Sequence, residues 1–298
     1  MAVGYVLYNP LAGSCKGEED AKILEAVMPE PLRFFDMTRI TNYEAFLGGL
    51  EQDDYLVITG GDGTLNRFAN AVSDLDIRQE ILFFPAGTGN DFARDLGKEA
   101  FDVPFPITQY LRNLPAVEVK GKTYRFINGV GYGIDGYCCQ VGDELRKIPG
   151  KKVNYAAIAV KGLLFHYSAT NAVVTVDGKT QTFQSVWIAP TMHGRFYGGG
   201  MMPAPEQDRC REDGKLSLMI FHGAGKLKTL CIFPGIFKGT HVKHTKQVTV
   251  LTGHEITVEF DRPAPLQIDG ETILDVVDYR ARSGRCVREK KPGRSMVV

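Results

Sequence analysis

The sequence has no charge surplus, no metal-binding cysteine spacing and no membrane-length apolar run, and each absence removes a class of function. Lys and Arg total 35 against 35 Asp and Glu, a formal net charge of zero, so the basic excess of a dedicated nucleic-acid binder is missing. The six cysteines, Cys15, Cys138, Cys139, Cys210, Cys231 and Cys286, contain no C-x-x-C pair and no zinc-ligand spacing. Free thiols in a reducing cytoplasm are the expectation. No uncharged apolar stretch approaches the roughly 18 residues of a bilayer span, and no basic segment precedes an apolar one near the N-terminus. A soluble, cytoplasmic protein is expected, which leaves work at a membrane surface open. Repeats and low-complexity linkers are missing too. What is present is an ordinary globular composition, 298 residues with 44% hydrophobic and 23% charged, suited to two modest domains and excluding disorder or a collagen-like chain.

The zero balance hides an asymmetry. Residues 1–119 carry nine basic against nineteen acidic side chains, a net of −10, which leaves +10 for the rest.

The first part alternates short β-rich apolar runs with amphipathic segments. The pattern predicts strands at 3–8, 32–37, 55–59 and 81–84 and helices at 18–28, 42–50 and 65–72. Strands separated by helices of this length predict a doubly wound parallel sheet covered on both faces, with ligands bound beyond the carboxyl ends of its strands. After about Lys120 the texture becomes β-rich and glycine-punctuated, with strands expected at 124–128, 171–176, 182–189, 216–221, 247–251, 255–260, 265–268 and 273–277. Asp177-Gly178, Asp213-Gly214, Thr252-Gly253 and Asp269-Gly270 supply turn signals. The fold class expected is therefore α/β: an N-terminal parallel-sheet nucleotide domain, residues 1–120, and an antiparallel β-sandwich domain, residues 121–280. The tail 281–298 is expected to pack back on the first domain.

Two glycine-bearing loops carry the chemistry. Gly60-Gly61-Asp62-Gly63-Thr64 lies between a strand and a helix, where glycines allow a tight turn and a helix start offers free N–H groups to a phosphate. It is neither a Walker A loop nor a dinucleotide fingerprint, since no Gly-Lys-Ser/Thr follows and Asn66 stands where the third glycine would be. Taken alone it reads equally as a tight turn. The second loop, Gly87-Thr88-Gly89-Asn90-Asp91, tips the balance: Thr88 can donate to a phosphate oxygen and Asp91 can hold Mg²⁺, which prefers oxygen ligands. The plain alternative is that Asn90 or Asp91 caps a helix.

Asn9-Pro10 with Gly13, the run Gly60 to Asn66 and the run Gly87 to Arg94 resemble the three nucleotide-site motifs of the diacylglycerol kinase catalytic family, which includes bacterial soluble lipid kinases and sphingosine kinases and shares a superfamily with the NAD kinases. The resemblance extends through Gly198-Gly199-Gly200, Asp213-Gly214-Lys215-Leu216, Gly239-Thr240-His241 and Asp269-Gly270-Glu271. It implies an ATP- and Mg²⁺-dependent kinase with its active site between two domains. By match, ATP contacts Asn9, Pro10, Gly13, Thr38, Gly60, Gly61, Asp62, Gly63, Thr64, Leu65, Asn66 and Thr88. The general base carries over to Glu271, with Asp269 beside it. A structural Mg²⁺ carries over to Asp213 with the backbone carbonyls of Cys210 and Lys215. Phosphoryl transfer needs positioning, charge neutralisation and a proton acceptor, which assigns Asp62 and Asp91 to the metal side and Glu271 or Asp269 to the base side. Asp-Gly is also a hairpin signal, so Asp213-Gly214 and Asp269-Gly270 read as plain turns without the resemblance.

Other features read more plainly. His241-x-x-His244 sits among lysines as a polar face, and His254-Glu255 reads as part of a strand. A helix over 153–167, with Tyr155, Ile158, Ala159, Gly162, Leu163 and His166 on one face, suits a core or an acyl channel. From Arg280 onward there are seven basic residues and one acid, a tail suited to anionic headgroups or simply a soluble terminus. The polar run Met202 to Arg209 departs from the family pattern and leaves the acceptor open. The reading is a kinase for a lipid hydroxyl, diacylglycerol first, working peripherally at an anionic membrane with its basic part toward the bilayer. The alternatives are a polar acceptor of the NAD kinase type and a non-catalytic regulator. No nucleic-acid partner is expected, and a homodimer stays open.

Overall fold

The computed structural model describes residues 2–87, 89–146, 148, 158–159 and 161–284. Its first sheet comprises β1 (Gly4–Tyr8), β2 (Leu32–Asp36), β3 (Tyr55–Gly60), β4 (Glu80–Pro85) and β5 (Phe105–Pro106), in the order β2-β1-β3-β4-β5. The first four run parallel and β5 is antiparallel to β4. Strand residues divide by parity, as the two-residue pleat requires. Leu7, Leu56, Ile58 and Phe83 join a core on one face with Phe68 and Phe92, while Val6, Val57 and Phe84 join Ala21 and Leu24 on the other.

The second sheet is antiparallel and ten-stranded. It contains β6 (Ala116–Val119), β7 (Lys122–Arg125), β8 (Gly129–Tyr132), β9 (Thr170–Val176), β10 (Lys179–Val186), β11 (Thr191–Met192), β12 (Leu216–Phe221), β13 (Val248–Gly253), β14 (Glu255–Ile268) and β15 (Glu271–Arg282). Its main path runs β13-β12-β11-β8-β14-β15-β6-β7. The fold class is thus the expected α/β parallel half followed by an antiparallel β half.

Three local expectations are corrected. The segments 255–260 and 265–268 are one strand, β14, which pairs β9 through Ile256–Phe260 and β8 through Leu266–Ile268, with a register shift between Glu259 and Ala264. Pro263 lies in this shift, where its missing N–H costs no ladder bond. The helix Ile134–Arg146, absent from the sequence reading, packs on β14 and β15. Arg280 and Arg282 belong to β15, where both pair with Glu255. Residues 285–298, and residues 153–157 and 160 of the expected 153–167 helix, lie outside the described residues.

Candidate active site

Because β1 to β4 run parallel, Asn9, Thr38, Gly61 and Gly87 all follow carboxyl ends on one edge of the sheet. Asn9 Oδ1 accepts from Leu11 N at 3.0 Å, folding that loop into a turn. Thr38 N and Oγ1 donate to Asp36 Oδ1 at 2.9 and 2.6 Å. Beside it lies an open groove of about 490 Å³ lined by Met37, Ile40, Asn42, Tyr43 and Arg67.

The two glycine loops press backbone to backbone. A Cβ on Gly87 would fall 2.3 Å from Gly61 Cα, so the second loop tolerates no side chain there, and a Cβ on Gly61 would sit a tight 3.1 Å from Gly87 Cα. Asn90, left-handed at φ 48°, locks the second loop: its Oδ1 accepts from Gly87 N at 3.1 Å and its Nδ2 donates to Gly87 O at 2.7 Å. Asparagine is one of the few side-chain-bearing residues that takes this conformation readily. The helix after the first loop spans Asp62–Ala71 with Gly61 as N-cap, so Asp62, Gly63 and Thr64 form its first turn, three residues earlier than the hydrophobic period suggested. Leu65 N donates to Gly61 O at 3.1 Å, which leaves the preceding amides without a carbonyl inside the helix.

Asp62 spans the loops. Its Oδ2 accepts from Asp91 N at 2.9 Å and its Oδ1 from Phe92 N at 2.8 Å, capping the Asp91–Asp95 helix from outside. The Asn128 Nδ2 also donates to Oδ1 at 2.9 Å. Asp91 is 3% exposed. Its Oδ2 accepts from Gly199 N at 2.7 Å, while its Oδ1 is buried without a hydrogen-bond partner. Burial, with Asp62 next, pushes the Asp91 carboxyl up to about 7. The Gly199 amide is aimed there by Gly198, Gly199 and Gly200, all at positive φ (61°, 82° and 108°), a run that only glycine adopts without strain. Tyr197 OH donates to Asp135 Oδ2 at 3.0 Å just before this turn, and burial pushes Asp135 up to about 6.

A second tie holds the two sheets together. The Asp269 carboxylate, at φ 45° in the β14–β15 turn, accepts four bonds: from Asn66 Nδ2 at 2.7 Å, Ile127 N at 2.5 Å, and Asn128 N and Gly129 N, each at 2.9 Å. Burial nevertheless pushes it up to about 6, against the three backbone N–H groups. Its oxygens are engaged inward, as an anchor. Asn66 is likewise spent on Asp269 and on Arg125 O. Glu271 is exposed and opens β15, two residues beyond this anchor. Farther along, Asp95 receives Arg209 Nε at 2.6 Å and Arg195 Nε at 2.8 Å. Burial works to raise the Asp95 carboxyl, but the two guanidinium groups hold it below the usual range. Arg209 is itself buried, lies 4.6 Å over the Phe92 ring and donates through Nη2 to Asn128 Oδ1 at 3.0 Å.

The donor sets differ in their fit to a divalent cation. Asp91 Oδ1 is buried beside a second carboxylate and has no hydrogen-bond partner, with Arg94 Nη1 3.6 Å away, and it suits a hard oxygen-seeking ion. The Asp213 group does not fit one. Its carboxylate is gripped by Arg211 Nε and Nη2 at 2.5 and 3.0 Å, with Lys215 Nζ at 3.6 Å. The Lys215 carbonyl accepts from Gln207 Nε2 at 3.2 Å, and Cys210 contributes its amide to Asp208 Oδ1. The positive charge there is already supplied by the chain. Among the described residues, no group of three His, Cys, Asp or Glu side chains is placed to hold a metal.

The edge thus gathers Asn9, Thr38, Gly60 to Asn66 and Asp91, with Asp269 reaching it from the second sheet through its bond to Asn66 and Glu271 two residues farther along the chain. Thr88 lies outside the described residues, as do the side-chain surroundings of Gly13. Asp213, Cys210 and Lys215 form a separate cluster tied to Gln207 and Arg211. Sequence reasoning missed Asn128, Asp95, Arg195 and Arg209. The available signal was the placing of Asn128 and Arg209 immediately before Gly129 and within a polar run, which by itself is weak.

Residues 4–118 match the family described as the diacylglycerol kinase catalytic domain, and residues 128–282 match the YegS C-terminal NAD kinase beta sandwich-like domain. A Bacillus subtilis (strain 168) protein named "Putative lipid kinase YtlR" is 29% identical over 248 residues, 76% of this chain and 77% of its own. A Staphylococcus aureus (strain Mu3) protein named "Putative lipid kinase" is 29% identical over 232 residues, 74% of this chain and 72% of its own. A Bacillus anthracis str. Sterne structure described as that of a diacylglycerol kinase shares the fold, with a TM-score of 0.58 at 18% identity over 95% of this chain and 94% of that one. Both halves being matched in order, the chain belongs to the diacylglycerol kinase catalytic family, with a YegS-type C-terminal half.

Proposed function

We propose that this chain is a lipid kinase that transfers the γ-phosphate of ATP to a lipid hydroxyl at an anionic membrane surface, with diacylglycerol as the first acceptor. The observation that carries the reading is the buried Asp91 Oδ1, which has no hydrogen-bond partner and only the Arg94 guanidinium at 3.6 Å, beside two interlocked glycine loops and a helix start. Backbone amides at the Gly61–Thr64 turn suit phosphate oxygens, and they matter because the first 119 residues carry a net charge of −10. Mg²⁺ held at Asp91, with Asp62 behind it, would neutralise phosphate charge. Asp62 orients the second loop by capping its helix. In the transfer, the acceptor oxygen attacks the γ-phosphorus in line, the bond to the bridging oxygen of the leaving ADP breaks, and Glu271 takes the hydroxyl proton. The names borne by the relatives support a lipid acceptor.

The test is ATP-dependent phosphorylation of diacylglycerol, sphingoid base, undecaprenol and NAD in parallel. Phosphate on diacylglycerol supports the reading; phosphate on NAD alone sinks it.

A further inference from the structure

The second half carries large apolar side chains that its own core does not use. Leu227 is 77% exposed, Phe165 72% and Phe237 48%. Single exposed apolar residues are commonplace, but these three share a foundation. The helix Lys226–Ile232 packs against the turn Gly162–His166 and runs directly into Phe233–Lys238. Their inward side chains, Ile232 and Ile236 with Tyr167, are buried in one cluster with Trp187 and Phe221. Phe165, Leu227 and Phe237 are what remains on the outside.

The charge along the segment that carries Leu227 and Phe237 is of one sign. Residues 216–254 contain five lysines, no arginine and no Asp or Glu. Lys226 and Lys228 flank Leu227, Lys238 follows Phe237 and Lys161 precedes the turn that carries Phe165, all exposed. A protein partner is a poor match for this chemistry, because protein interfaces are depleted in lysine and rimmed by both signs. An apolar patch ringed by lysine is the composition of a surface that seats on anionic headgroups. Position agrees: the apolar cluster beneath the patch includes Ile134 and packs Met201, which follows the glycine turn that bonds Asp91.

We propose that Phe165, Leu227 and Phe237, ringed by Lys161, Lys226 and Lys228, form the docking face of this chain for an anionic lipid bilayer. The inference deepens the lipid-acceptor reading by naming the face that meets the membrane, yet its test needs neither ATP nor acceptor. Flotation is measured with phosphatidylcholine vesicles and with phosphatidylcholine–phosphatidylglycerol vesicles, at about 0.1 M and about 1 M salt, where the screening length falls from ~10 to ~3 Å. The whole chain is expected to float with the anionic vesicles and to be released by salt. Replacing both Phe165→Ser and Leu227→Ser is expected to lower vesicle partition at least about tenfold, the scale set by losing several buried methylenes, with melting temperature and nucleotide binding unchanged. Lys226→Gln with Lys228→Gln is expected to remove much of the salt dependence. Equal partition of the apolar variant and the wild type overturns the proposal. So does loss of all binding on deleting residues 285–298 alone, which would assign docking to the basic tail. A change of oligomeric state in the apolar variant without a change in vesicle binding would assign the patch to a second copy of the chain, and equally overturns it.

Discussion

Asp62 and Asn128 are joined by a single hydrogen bond, Asn128 Nδ2 donating to Asp62 Oδ1 at 2.9 Å, that couples the glycine loop of the parallel sheet to the entry of β8. The same amide accepts from Arg209 through its Oδ1. Asn128→Leu strips a partner from a carboxylate and from a buried guanidinium at once. A loss of about 2–4 kcal/mol is expected, read by urea unfolding through the fluorescence of Trp187, the sole tryptophan.

Asp91 makes stability depend on pH. Its carboxyl lies near 7 in the fold against 3.8 when unperturbed. A carboxyl raised by folding contributes stability that is complete below its unfolded value and is lost as pH rises through its folded value. Wild type should therefore lose ground to Asp91→Asn between about pH 4 and pH 8, by up to about 4 kcal/mol. Taking the difference between the two melting curves cancels the opposing contribution of His193, His222 and His241, whose values desolvation lowers. Mg²⁺ added at pH 8 should raise the melting temperature of wild type and leave the variant unmoved. Parallel melting curves at every pH would count against this account of Asp91.

Glu271→Gln keeps the shape of an exposed side chain and removes the proposed proton acceptor. Its kcat on a lipid acceptor should fall about 10²–10⁴-fold, while nucleotide affinity measured by titration stays as in wild type. Undiminished turnover would remove Glu271 from the chemistry.

Arg211 occupies the place of a cation at Asp213. Chelator should leave the melting temperature of the wild type unchanged through this loop. Arg211→Ala exposes the carboxylate, so its melting temperature should become responsive to Mg²⁺. A wild type that loses stability in chelator, with Asp91→Asn losing as much, would point back to a metal at Asp213.

Gly87→Ala should break the site without touching any ionisable group, because the new Cβ would fall 2.3 Å from Gly61 Cα. Nucleotide binding is expected to drop sharply in a titration, and near-normal binding would show that the loops have room to part.

The parallel half was legible because its signals are local: apolar runs of strand length and glycines at each carboxyl end. The helix at Asp62 was read late because two glycines and an aspartate are poor helix formers by propensity, although Gly61 supplies the cap. The helix Ile134–Arg146 was hidden by Gly133 and Gly136, and its stability comes from docking on β14 and β15. The gap between the expected strands 255–260 and 265–268 proved to be an irregularity within one strand, at Pro263. Asp269-Gly270 was rightly read as a turn signal, but the donors that claim its carboxylate lie about 140 positions earlier in the chain. Arg211 was visible two residues before Asp213, yet only the fold shows its guanidinium on that carboxylate.

The four bonds received by Asp269 bear on how the cleft works. The turn at the tip of a long hairpin takes three of these bonds from its own half, at Ile127, Asn128 and Gly129, and one from the other half, at Asn66. Opening the halves like a clam shell would break the Asn66 bond together with those of Asp62 to Asn128, Asp91 to Gly199 and Asp95 to Arg209, so the gap between the halves is set when the chain folds. Access to the reacting centre then falls to the acceptor and the loops at the mouth, and the body of the protein serves as a fixed jig.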